Sequence, residues 1–494
     1  MPPGPSLQEN PMFPDLLKQQ AACQPDAIAL YGETREWNWR QYHEAVEEIA
    51  RQLTSLGVKR LALESENSPE WAIFDLACYA AGIVMVPVPS FFTAAQKAWV
   101  LSSASIDARL SDEVMEGWQV HDFPFGKLQT RVVVDPNPLP PGTARVTYTS
   151  GTTGEPKGVC LSQHGLLWTA QTLATELTPL SLQKHMVTLP LSILLENLCG
   201  IYIPLVLGVP TIVLPPSQVG FDGSSRFNSA QFQQALLIWR PQSLVLVPEL
   251  LRVVFALRYQ MPECTQSLRF IAAGGGKISE QLMALAAISG LPVFEGYGLS
   301  ECGSVVSLNL PGVTKKGSVG RPLPGIDVSV DEHQQLCVTS PANALGYLGA
   351  EAASATVATG DLGTVDEEGF IHIHGRLKNV QINAFGRNFS PEWPEAEAMA
   401  CPSVRRIVVF GDGLTRNVAL VDAFDGQHEE AREQLIALSA RLPDYAQLHR
   451  LLFTSEISLP GMLTANGRPR RNAIWQSLHQ QILTCSEGEN HELL

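Results

Sequence analysis

The chain has 494 residues, of which 45% are hydrophobic, so it can form more than one domain with a sizeable core. It carries 34 basic and 49 acidic side chains, a formal net charge of −15, with no block of like charge. This balance excludes the basic surface that attracts nucleic acids or anionic membranes, so neither is predicted as a partner. Its nine cysteines are scattered, with no pair at metal-ligand or redox spacing, which predicts free thiols and a cytoplasmic location.

The first half of the chain alternates helical and strand-like patterns. Residues 1–17 have no basic start followed by an apolar run, so they predict an extended arm and no secretory signal. Apolar spacing predicts helices over residues 39–57 and 69–82, followed by a strand over 83–87. The alternation continues to a strand over 243–247 and the helix after it. Such alternation is typical of a mostly parallel sheet covered by helices.

Residues 147–158 read TYTSGTTGEPKG, with five small hydroxyl residues and three glycines around a lysine. Glycines let the backbone approach an anion, hydroxyls donate to its oxygens, and Lys157 supplies a counter-charge. An apolar strand follows Lys157 where a Walker A motif would begin a helix. The pattern predicts a phosphate-binding loop between two strands, with the next helix capped by Ser162. The alternative is a flexible surface turn.

Residues 198–216 are apolar and uncharged over a length that raises the question of a transmembrane segment. Pro204, Gly208 and Pro210 interrupt them. The sequence therefore predicts a buried helix that ends near Gly208 and a short strand over 211–214, with no transmembrane segment.

The stretch TSGTTGEPKG resembles the signature loop of the adenylate-forming superfamily, which includes acyl-CoA synthetases, peptide-synthetase adenylation domains and firefly luciferase. Later motifs of that superfamily recur in order along nearly the whole chain. The resemblance implies an α/β fold with a large N-terminal domain of helix-covered β-sheets, residues 1–376. It also implies a small mobile C-terminal α+β lid, residues 377–494. In the phosphate loop it assigns Lys157 to catalysis and the nucleotide to Thr149, Ser150, Gly151, Thr152, Thr153 and Gly154.

Two further motifs resemble the nucleotide site of the superfamily. Residues 271–278 read IAAGGGKI, and the glycine run would let a flat ring approach the backbone. Residues 295–303 read EGYGLSECG and resemble the YGxTE motif, in which Tyr297 would stack on adenine and Glu301 would bind Mg²⁺. Ser300 stands in the threonine position and could reach the α-phosphate. The predicted nucleotide contacts in these motifs are Gly274, Gly275, Gly276, Glu295, Gly296, Tyr297 and Gly298.

The next motifs resemble the ribose site and the domain junction. In TGDLG, residues 359–363, Asp361 could accept hydrogen bonds from both ribose hydroxyls. The following GRLKN resembles the GRxKD segment, which implies that Arg376 contacts ribose or phosphate and that Lys378 is the hinge of the lid. Residues 384–395 resemble the glycine loop that faces the site during thioester formation, with Gly386 as the thiolation-loop glycine. His372 and His374 share one face of a strand, and no metal is assigned to them.

Residues 463–471, LTANGRPRR, resemble T-x-x-G-K-x-x-R, with Arg468 in place of the lysine that bridges carboxylate and phosphate during adenylation. Arginine keeps the charge and can bind an oxyanion bidentately, but it is bulkier. Two interpretations stay open: a slower first half-reaction, or a pocket adapted to arginine.

The acyl pocket is predicted from LPLSILLEN, residues 189–197, which resembles Leu-Pro-Leu-x-His-x-x-Glu of fatty-acid-activating members. Ile193 replaces that histidine and makes the wall more apolar, which suits a hydrocarbon chain. Alternatively, residues 189–197 are simply the start of a buried helix. The two interpretations are compatible. The predicted pocket residues are Ile193, Glu196, Cys302, Gly303 and Ser304.

The resemblance implies activation of a carboxylic acid, most like a long- or medium-chain fatty acid, by ATP and Mg²⁺ to acyl-AMP and pyrophosphate. A phosphopantetheine thiol would then displace AMP, and CoA is the preferred acceptor. Alternatives are transfer to a stand-alone acyl carrier protein or to an amine, and a non-catalytic homologue that binds nucleotide or acyl-AMP. Only Arg468 and Ile193 support the last alternative, and the oligomeric state stays open.

Overall fold

The computed structural model describes residues 11–149, 156–222, 226–350, 353–384, 387–464 and 467–487. Helices are distributed along the whole described chain. In order they are α1 Phe13–Cys23, α2 Trp39–Ser55, α3 Pro69–Ala81, α4 Ala94–Ser103, α5 Gln163–Leu177, α6 Leu194–Asn197, α7 Ile203–Leu207, α8 Ser229–Trp239, α9 Pro248–Gln260, α10 Glu280–Ile288, α11 Glu392–Ala398, α12 His428–Ser439 and α13 Arg471–Glu487.

The strands are mostly short. In order they are β1 Ile28–Tyr31, β2 Glu36–Asn38, β3 Arg60–Leu63, β4 Val84–Pro87, β5 Ala108–Leu110, β6 Gln119–Phe123, β7 Gly126–Thr130, β8 Thr143–Thr149, β9 Lys157–Ser162, β10 His185–Met186, β11 Thr211–Ile212, β12 Phe221–Asp222, β13 Arg226–Phe227, β14 Ser243–Leu246, β15 Phe270–Ala273, β16 Val293–Tyr297, β17 Ser307–Leu308, β18 Arg321–Pro322, β19 Asp327–Val330, β20 Gln335–Thr339, β21 Gly346–Tyr347, β22 Thr356–Val365, β23 Ile371–Arg376, β24 Gln381–Ile382, β25 Asn388–Phe389, β26 Val404–Phe410, β27 Val418–Ala423 and β28 Arg450–Phe453.

Two large mixed sheets form the first part of the molecule. One has the order β18-β17-β16-β15-β14-β10-β11-β1-β2, and its central strands from β16 to β1 are parallel. The other has the order β21-β9-β8-β4-β3-β5-β7-β6. Helices α1, α2, α3 and α5 contribute to the same hydrophobic cluster as strands of both sheets. Helix-covered sheets are what the alternating sequence pattern predicted.

The last part of the chain has cores of its own. Strands β26, β27 and β28 form a three-stranded sheet. Residues of α11 and α12 pack on one side of it, around Val409 and Val421. Residues of α13 pack on the other, around Val408 and Leu420. This arrangement fits a separate C-terminal unit, and the boundary after residue 376 stays a prediction.

Most of the predicted elements are present. Helices α2 and α3 match the predicted segments, and α3 ends at Gly82, whose φ of 64° is in the left-handed region that glycine favours. Residues 194–207 form α6, a π-helical turn and α7, and the chain turns at Gly208 as predicted. In the described part of the chain, every helix is too short or too polar to cross a membrane.

The predicted N-terminal extended arm is partly wrong. Residues 1–10 lie outside the described residues, but α1 begins at Phe13, with Pro14 in its first turn. Proline is tolerated there because the first turn has no intrahelical hydrogen-bond partner for its missing N–H. Phe13 and Leu17 are fully buried, and the Phe13 ring lies 4.3 Å from that of Tyr202. Burial of these two side chains therefore holds the segment as a helix.

A buried ion pair ties α3 to β8 behind the candidate site. Arg145 Nη1 donates to Asp75 Oδ1 at 3.1 Å, and both side chains are fully buried. The other carboxylate oxygen accepts from Asn197 Nδ2 and from the Tyr202 hydroxyl, each at 2.8 Å. Removing one partner leaves an uncompensated charge in the core.

We therefore expect Asp75→Ala to lower the free energy of unfolding by about 3–5 kcal/mol, measured by urea denaturation. The matched control is Asp26→Ala, because Asp26 pairs with Arg40 on the surface at 2.9 Å. Exposed pairs contribute at most about 1 kcal/mol. Equal effects of the two substitutions would contradict the assignment of the buried pair as a core contact.

Candidate active site

A cleft of about 3120 Å³ lies at the C-terminal ends of the parallel strands, under the last part of the chain. The three glycines that follow β15 line it, and the C-terminal end of β16 lies beside them. Ligands bind at this edge in open α/β sheets, because the loops there leave a crevice. The predicted residues that line the cleft are Thr149, Lys157, Ile193, Gly274, Gly275, Gly276, Glu295, Gly296, Tyr297, Gly298, Ser300, Glu301, Ser304, Asp361, Arg376, Lys378 and Arg468.

The predicted phosphate loop joins two antiparallel strands, as its sequence indicated. Thr149 at the end of β8 pairs with Lys157 at the start of β9. Ser162 then caps α5, where its hydroxyl accepts from the Gly165 backbone N–H at 3.0 Å. Ser150, Gly151, Thr152, Thr153 and Gly154 lie outside the described residues. Lys157 is exposed at the mouth of the cleft, with Nζ 5.8 Å from the centre of the Tyr347 ring.

Glu301 has a partner that the sequence motifs did not reveal. The hydroxyl of Tyr347 donates to Glu301 Oε1 at 2.7 Å. Tyr347 comes from β21, which pairs with β9, so the sheet brings this tyrosine between Glu301 and Lys157. No short motif marks Tyr347, because its role depends on strand pairing. Burial and the Glu301 carboxylate raise the pKa of Tyr347, so its hydroxyl stays protonated and donates.

The surroundings of Glu301 fit an Mg²⁺ ion that is held mainly by phosphates. Glu301 is half-buried in the cleft, and among the described residues its Oε2 atom has no hydrogen-bond partner. The described residues contain no group of three or more His, Cys, Asp or Glu side chains that could hold a metal. Mg²⁺ at nucleotide sites commonly takes one or two carboxylates plus phosphate oxygens. Glu301 would hold the ion, which would neutralise phosphate charge.

The carboxylate of Asp361 is buried and paired on both sides. The Tyr297 hydroxyl donates to Oδ2 at 2.8 Å, and Arg376 Nε lies 2.6 Å from Oδ1. Asp361 and Arg376 are direct partners across β22 and β23, which explains why they meet. Burial raises the pKa of Asp361, while Arg376 and the Tyr297 hydroxyl oppose that rise. Tyr297, Asp361 and Arg376 thus form one polar cluster that could accept ribose hydroxyls.

Gly298 permits a close approach of two chain segments in the cleft. A Cβ atom there would lie 1.8 Å from the Ser304 carbonyl oxygen, so no side chain fits. Ser304 itself adopts a φ of 83°, an uncommon value for a residue with a side chain. The turn between β16 and the short helix Ser300–Cys302 is therefore fixed by glycine, which places Glu301 at the cleft.

Arg468 reaches into the cleft from the last part of the chain. Its Nη2 donates to the backbone carbonyl of Gly275 in the glycine run. Arg468 lines the same cleft as Asp361 and Arg376 of the predicted ribose cluster. The structure therefore places Arg468 in the cleft, and its role in adenylation stays a prediction. Lys378 also lines the cleft, and Gly386 lies outside the described residues.

The predicted acyl pocket needs correction. Ile193 and Ser304 line the cavity, but Glu196, Cys302 and Gly303 do not. Glu196 and Cys302 are fully buried behind the wall, and Glu196 Oε1 accepts from the Thr188 backbone N–H at 2.7 Å. A Cβ at Gly303 would lie 2.5 Å from the Ala342 side chain, so this glycine permits close packing against Ala342.

Two further residues, Lys277 and Trp393, line the cleft but were not predicted as site residues. Lys277 follows the glycine run directly, and its Nζ donates to the Ile373 carbonyl at 3.4 Å. Trp393 faces the same amine, with its ring centre 6.0 Å away. Burial lowers the pKa of Lys277, although the neighbouring glutamates oppose this effect. Lys277 lies in the motif at residues 271–278 and Trp393 in the segment 384–395, but neither motif predicted that these two side chains meet in the cleft.

The two histidines of β23 take part in hydrogen bonds. His372 lies between the Asp366 carboxylate, 3.0 Å from Nε2, and the Gly317 carbonyl, 3.1 Å from Nδ1. His374 Nε2 lies 3.2 Å from the Thr364 hydroxyl. These contacts hold the strand to its neighbours.

Comparison with known proteins identifies relatives across most of the chain. The family model of AMP-binding enzymes matches residues 17–348. A 2-succinylbenzoate–CoA ligase of Bacillus pumilus is 26% identical over 426 residues, which cover 81% of this chain and 85% of the relative. The long-chain-fatty-acid–CoA ligase FadD15 of Mycobacterium bovis is 29% identical over 460 residues, 76% of each chain.

Solved structures show the same fold. The o-succinylbenzoate CoA synthetase of Bacillus subtilis, in complex with its acyl-adenylate intermediate, matches with a TM-score of 0.76 and 22% identity. The match covers 94% of this chain and 98% of that chain. The anthranilate CoA ligase AuaEII with anthranoyl-AMP matches with a TM-score of 0.78 and 17% identity, over 95% and 98% of the two chains.

These matches confirm the predicted superfamily and fold class. They also confirm the predicted enzyme class, the AMP-forming acid–thiol ligases, whose co-substrates are ATP with Mg²⁺ and CoA. The roles of individual site residues stay predictions. With its family model matched over two thirds of the sequence, this chain belongs to the AMP-binding enzyme family.

Proposed function

We propose that this enzyme activates a long- or medium-chain fatty acid to acyl-AMP and then transfers the acyl group to CoA. In the first step a carboxylate oxygen bonds to the α-phosphorus of ATP, and pyrophosphate leaves. In the second step the sulfur of CoA bonds to the acyl carbon, and AMP leaves. The proposal combines the family membership with one feature of the cavity.

That feature is an apolar part of the cavity, here called the channel, which is lined by strands of the large sheet and by helices α5 and α7. Val245 of β14 and Phe270 and Ala272 of β15 line the cavity. They lie on the same face of the sheet, because alternate residues of a strand point to the same side and Val245 is the direct partner of Ala272. On the opposite side the channel is lined by Leu173 of α5 and Ile203 of α7. From Gly274 back to Phe270 the strand spans four residues, roughly 13 Å. An extended hydrocarbon chain matches this shape and polarity.

The side chains in the cleft suit the first step. The amine of Lys157 and the guanidinium of Arg468 both line the cleft, so their charges can offset the negative charge of carboxylate and phosphates. Arg468 would hold the carboxylate near the glycine run, since it already contacts the Gly275 carbonyl. Asp361 would accept the ribose hydroxyls.

A second candidate substrate is 2-succinylbenzoate, because several relatives carry that activity in their names. This acid has two carboxylates, and burial of the second one needs a cationic partner. Among the described residues of α5, α7, β14 and β15 that line the channel, none is lysine or arginine, and Lys157 and Lys277, which also line the cavity, belong to the nucleotide cleft. The channel therefore favours an uncharged chain.

Pyrophosphate release measured with a panel of acids tests the proposal. The panel contains saturated acids from acetate to palmitate, 2-succinylbenzoate, aryl acids and amino acids, each with ATP and Mg²⁺ before any thiol is added. We expect the largest kcat/KM for acids of ten or more carbons, with the length set by roughly 13 Å of channel. A higher value for 2-succinylbenzoate would contradict the proposal.

The acceptor is tested separately, by adding CoA, an acyl carrier protein or an amine to enzyme that holds acyl-AMP. Preference for CoA is expected, because the relatives are CoA ligases. Faster transfer to the carrier protein or to the amine would show that this molecule, and not CoA, is the preferred acceptor. No pyrophosphate release with any acid, together with tight binding of a non-hydrolysable acyl-AMP mimic, would favour the non-catalytic alternative.

A further inference from the structure

Residues 344–348 contact two parts of the predicted phosphate site. The backbone N–H of Ala344 donates to the carbonyl oxygen of Glu301 at 2.8 Å. Three residues later, Tyr347 in β21 is the direct partner of Val159 in β9, the strand that follows the phosphate loop. Backbone hydrogen bonds therefore hold this segment both to the predicted metal ligand and to β9, so the Tyr347 side chain extends from a fixed backbone.

The side chain of Tyr347 connects the same two parts. Its hydroxyl donates to Glu301 Oε1 at 2.7 Å, and its ring centre lies 5.8 Å from Lys157 Nζ. Lys157 lies two residues before the strand partner of Tyr347, and diagonal neighbours on paired strands are within reach of long side chains. Tyr347 lines the cleft and is 38% exposed, so both contacts are made at the wall of the cavity.

A carboxylate that binds an ion must keep one orientation. A glutamate side chain rotates about several bonds, and fixing these rotamers costs free energy. The hydrogen bond from Tyr347 fixes Glu301 at Oε1 and leaves Oε2, which has no hydrogen-bond partner among the described residues, to face the cleft. Removing a hydrogen-bond partner of a metal-binding group typically lowers metal affinity or activity by about 10- to 100-fold.

We propose that Tyr347 is a positioning residue for adenylation, and that its hydroxyl holds Glu301 in the orientation that binds Mg²⁺. The inference rests on the predicted role of Glu301 in the adenylation step. It applies to whichever acid the enzyme activates, so it does not depend on the fatty acid of the proposed function. Tyr347 acts through Glu301, because its hydroxyl is directed to that carboxylate.

Tyr347→Phe tests the hydroxyl, because it keeps the ring beside Lys157. We expect the Mg²⁺ concentration that gives half-maximal pyrophosphate release to rise about tenfold, and high Mg²⁺ to restore most of the rate. The assay uses the best acid of the panel. The control is Tyr259→Phe, an exposed tyrosine of α9 outside the cleft, which should behave as wild type. A wild-type Mg²⁺ requirement in Tyr347→Phe would overturn the proposal.

Ion binding without turnover gives a second measurement. Mn²⁺ is a paramagnetic substitute for Mg²⁺, and its electron paramagnetic resonance signal reports the free ion. In the presence of the ATP analogue with an α,β-methylene bridge, we expect Tyr347→Phe to bind Mn²⁺ about tenfold more weakly than wild type. Thermal unfolding of the variant checks its folding. Equal Mn²⁺ affinities of the two proteins would contradict the proposal.

The double variant separates positioning from a structural role. In Glu301→Gln there is no carboxylate left to orient towards the ion, so adding Tyr347→Phe should lower the residual rate by less than about threefold. A further tenfold loss would show that the hydroxyl acts independently of Glu301, and the assignment would be wrong.

Failure of this inference differs from failure of the proposed function. If Glu301→Gln loses activity while Tyr347→Phe keeps the wild-type Mg²⁺ requirement, only the role of Tyr347 is wrong. If the panel shows that another acid is preferred to fatty acids, the proposed substrate is wrong, and the effect of Tyr347→Phe is still expected with that acid.

Discussion

Glu301→Gln is expected to reduce Mg²⁺-dependent pyrophosphate release by about a thousandfold or more. The amide keeps the size of the side chain and its oxygen can still accept from Tyr347, 2.7 Å from Oε1 in the structure. It removes the negative charge that a hard cation requires. Loss of metal-assisted charge neutralisation is worth several kcal/mol, and about 4 kcal/mol corresponds to a thousandfold in rate.

The control for this prediction is Glu263→Gln, which removes an exposed carboxylate outside the cleft. That variant should retain the wild-type rate. The dependence of rate on Mg²⁺ concentration gives a second measurement, since the Glu301 variant should need far more Mg²⁺ for any residual turnover. Full activity of Glu301→Gln at the wild-type Mg²⁺ requirement would show that this carboxylate does not hold the ion.

Arg468→Ala should lower the rate of acyl-AMP formation by about a hundredfold to a thousandfold. The guanidinium lines the cleft and contacts the Gly275 carbonyl, so its removal takes away a charge placed where the carboxylate and phosphate meet. Losing one oriented electrostatic contact to a developing charge has an effect of this size. Pyrophosphate release with saturating fatty acid measures it.

Comparing the two half-reactions tests the role of Arg468 more specifically than the first half-reaction alone. Transfer from preformed acyl-AMP to CoA should be nearly unchanged in Arg468→Ala, because the resemblance assigns this position to the first step alone. Arg416→Ala, an exposed arginine outside the cleft, serves as the charge control. Equal loss in both half-reactions would indicate a role in nucleotide binding.

Arg468→Lys decides between the two interpretations of the unusual arginine. If the pocket is adapted to arginine, the lysine variant should be slower than wild type, since a shorter point charge cannot bind bidentately. If arginine only slows the first step, the lysine variant should be faster. The same pyrophosphate assay measures both outcomes. Because Arg468 belongs to the predicted lid, the result also shows how that segment contributes to the site.

The sequence by itself determined the family, the order of elements and the nucleotide motifs. Lys157, Glu301 and Asp361 were predicted because each lies in a short stretch whose residue types suit phosphate, metal or ribose. Local patterns also predicted α2 and α3. The apolar spacing and the terminal glycine that indicate a helix lie close together in the chain. Phosphate chemistry and helix ends are local in the chain, so sequence alone is informative about them.

Only the tertiary structure decided which side chains meet. Pairing of β21 with β9 brings Tyr347 to Glu301, although 46 residues separate them. Pairing of β10 with β14 joins His185 to Ser243 across 58 residues. The predicted acyl pocket failed at Cys302 and Gly303 for the same reason: a short motif places residues along the chain but does not fix which side of a turn faces the cavity. Strand pairing and the packing of helices on the sheet determine that choice, because they act between residues that are distant in sequence.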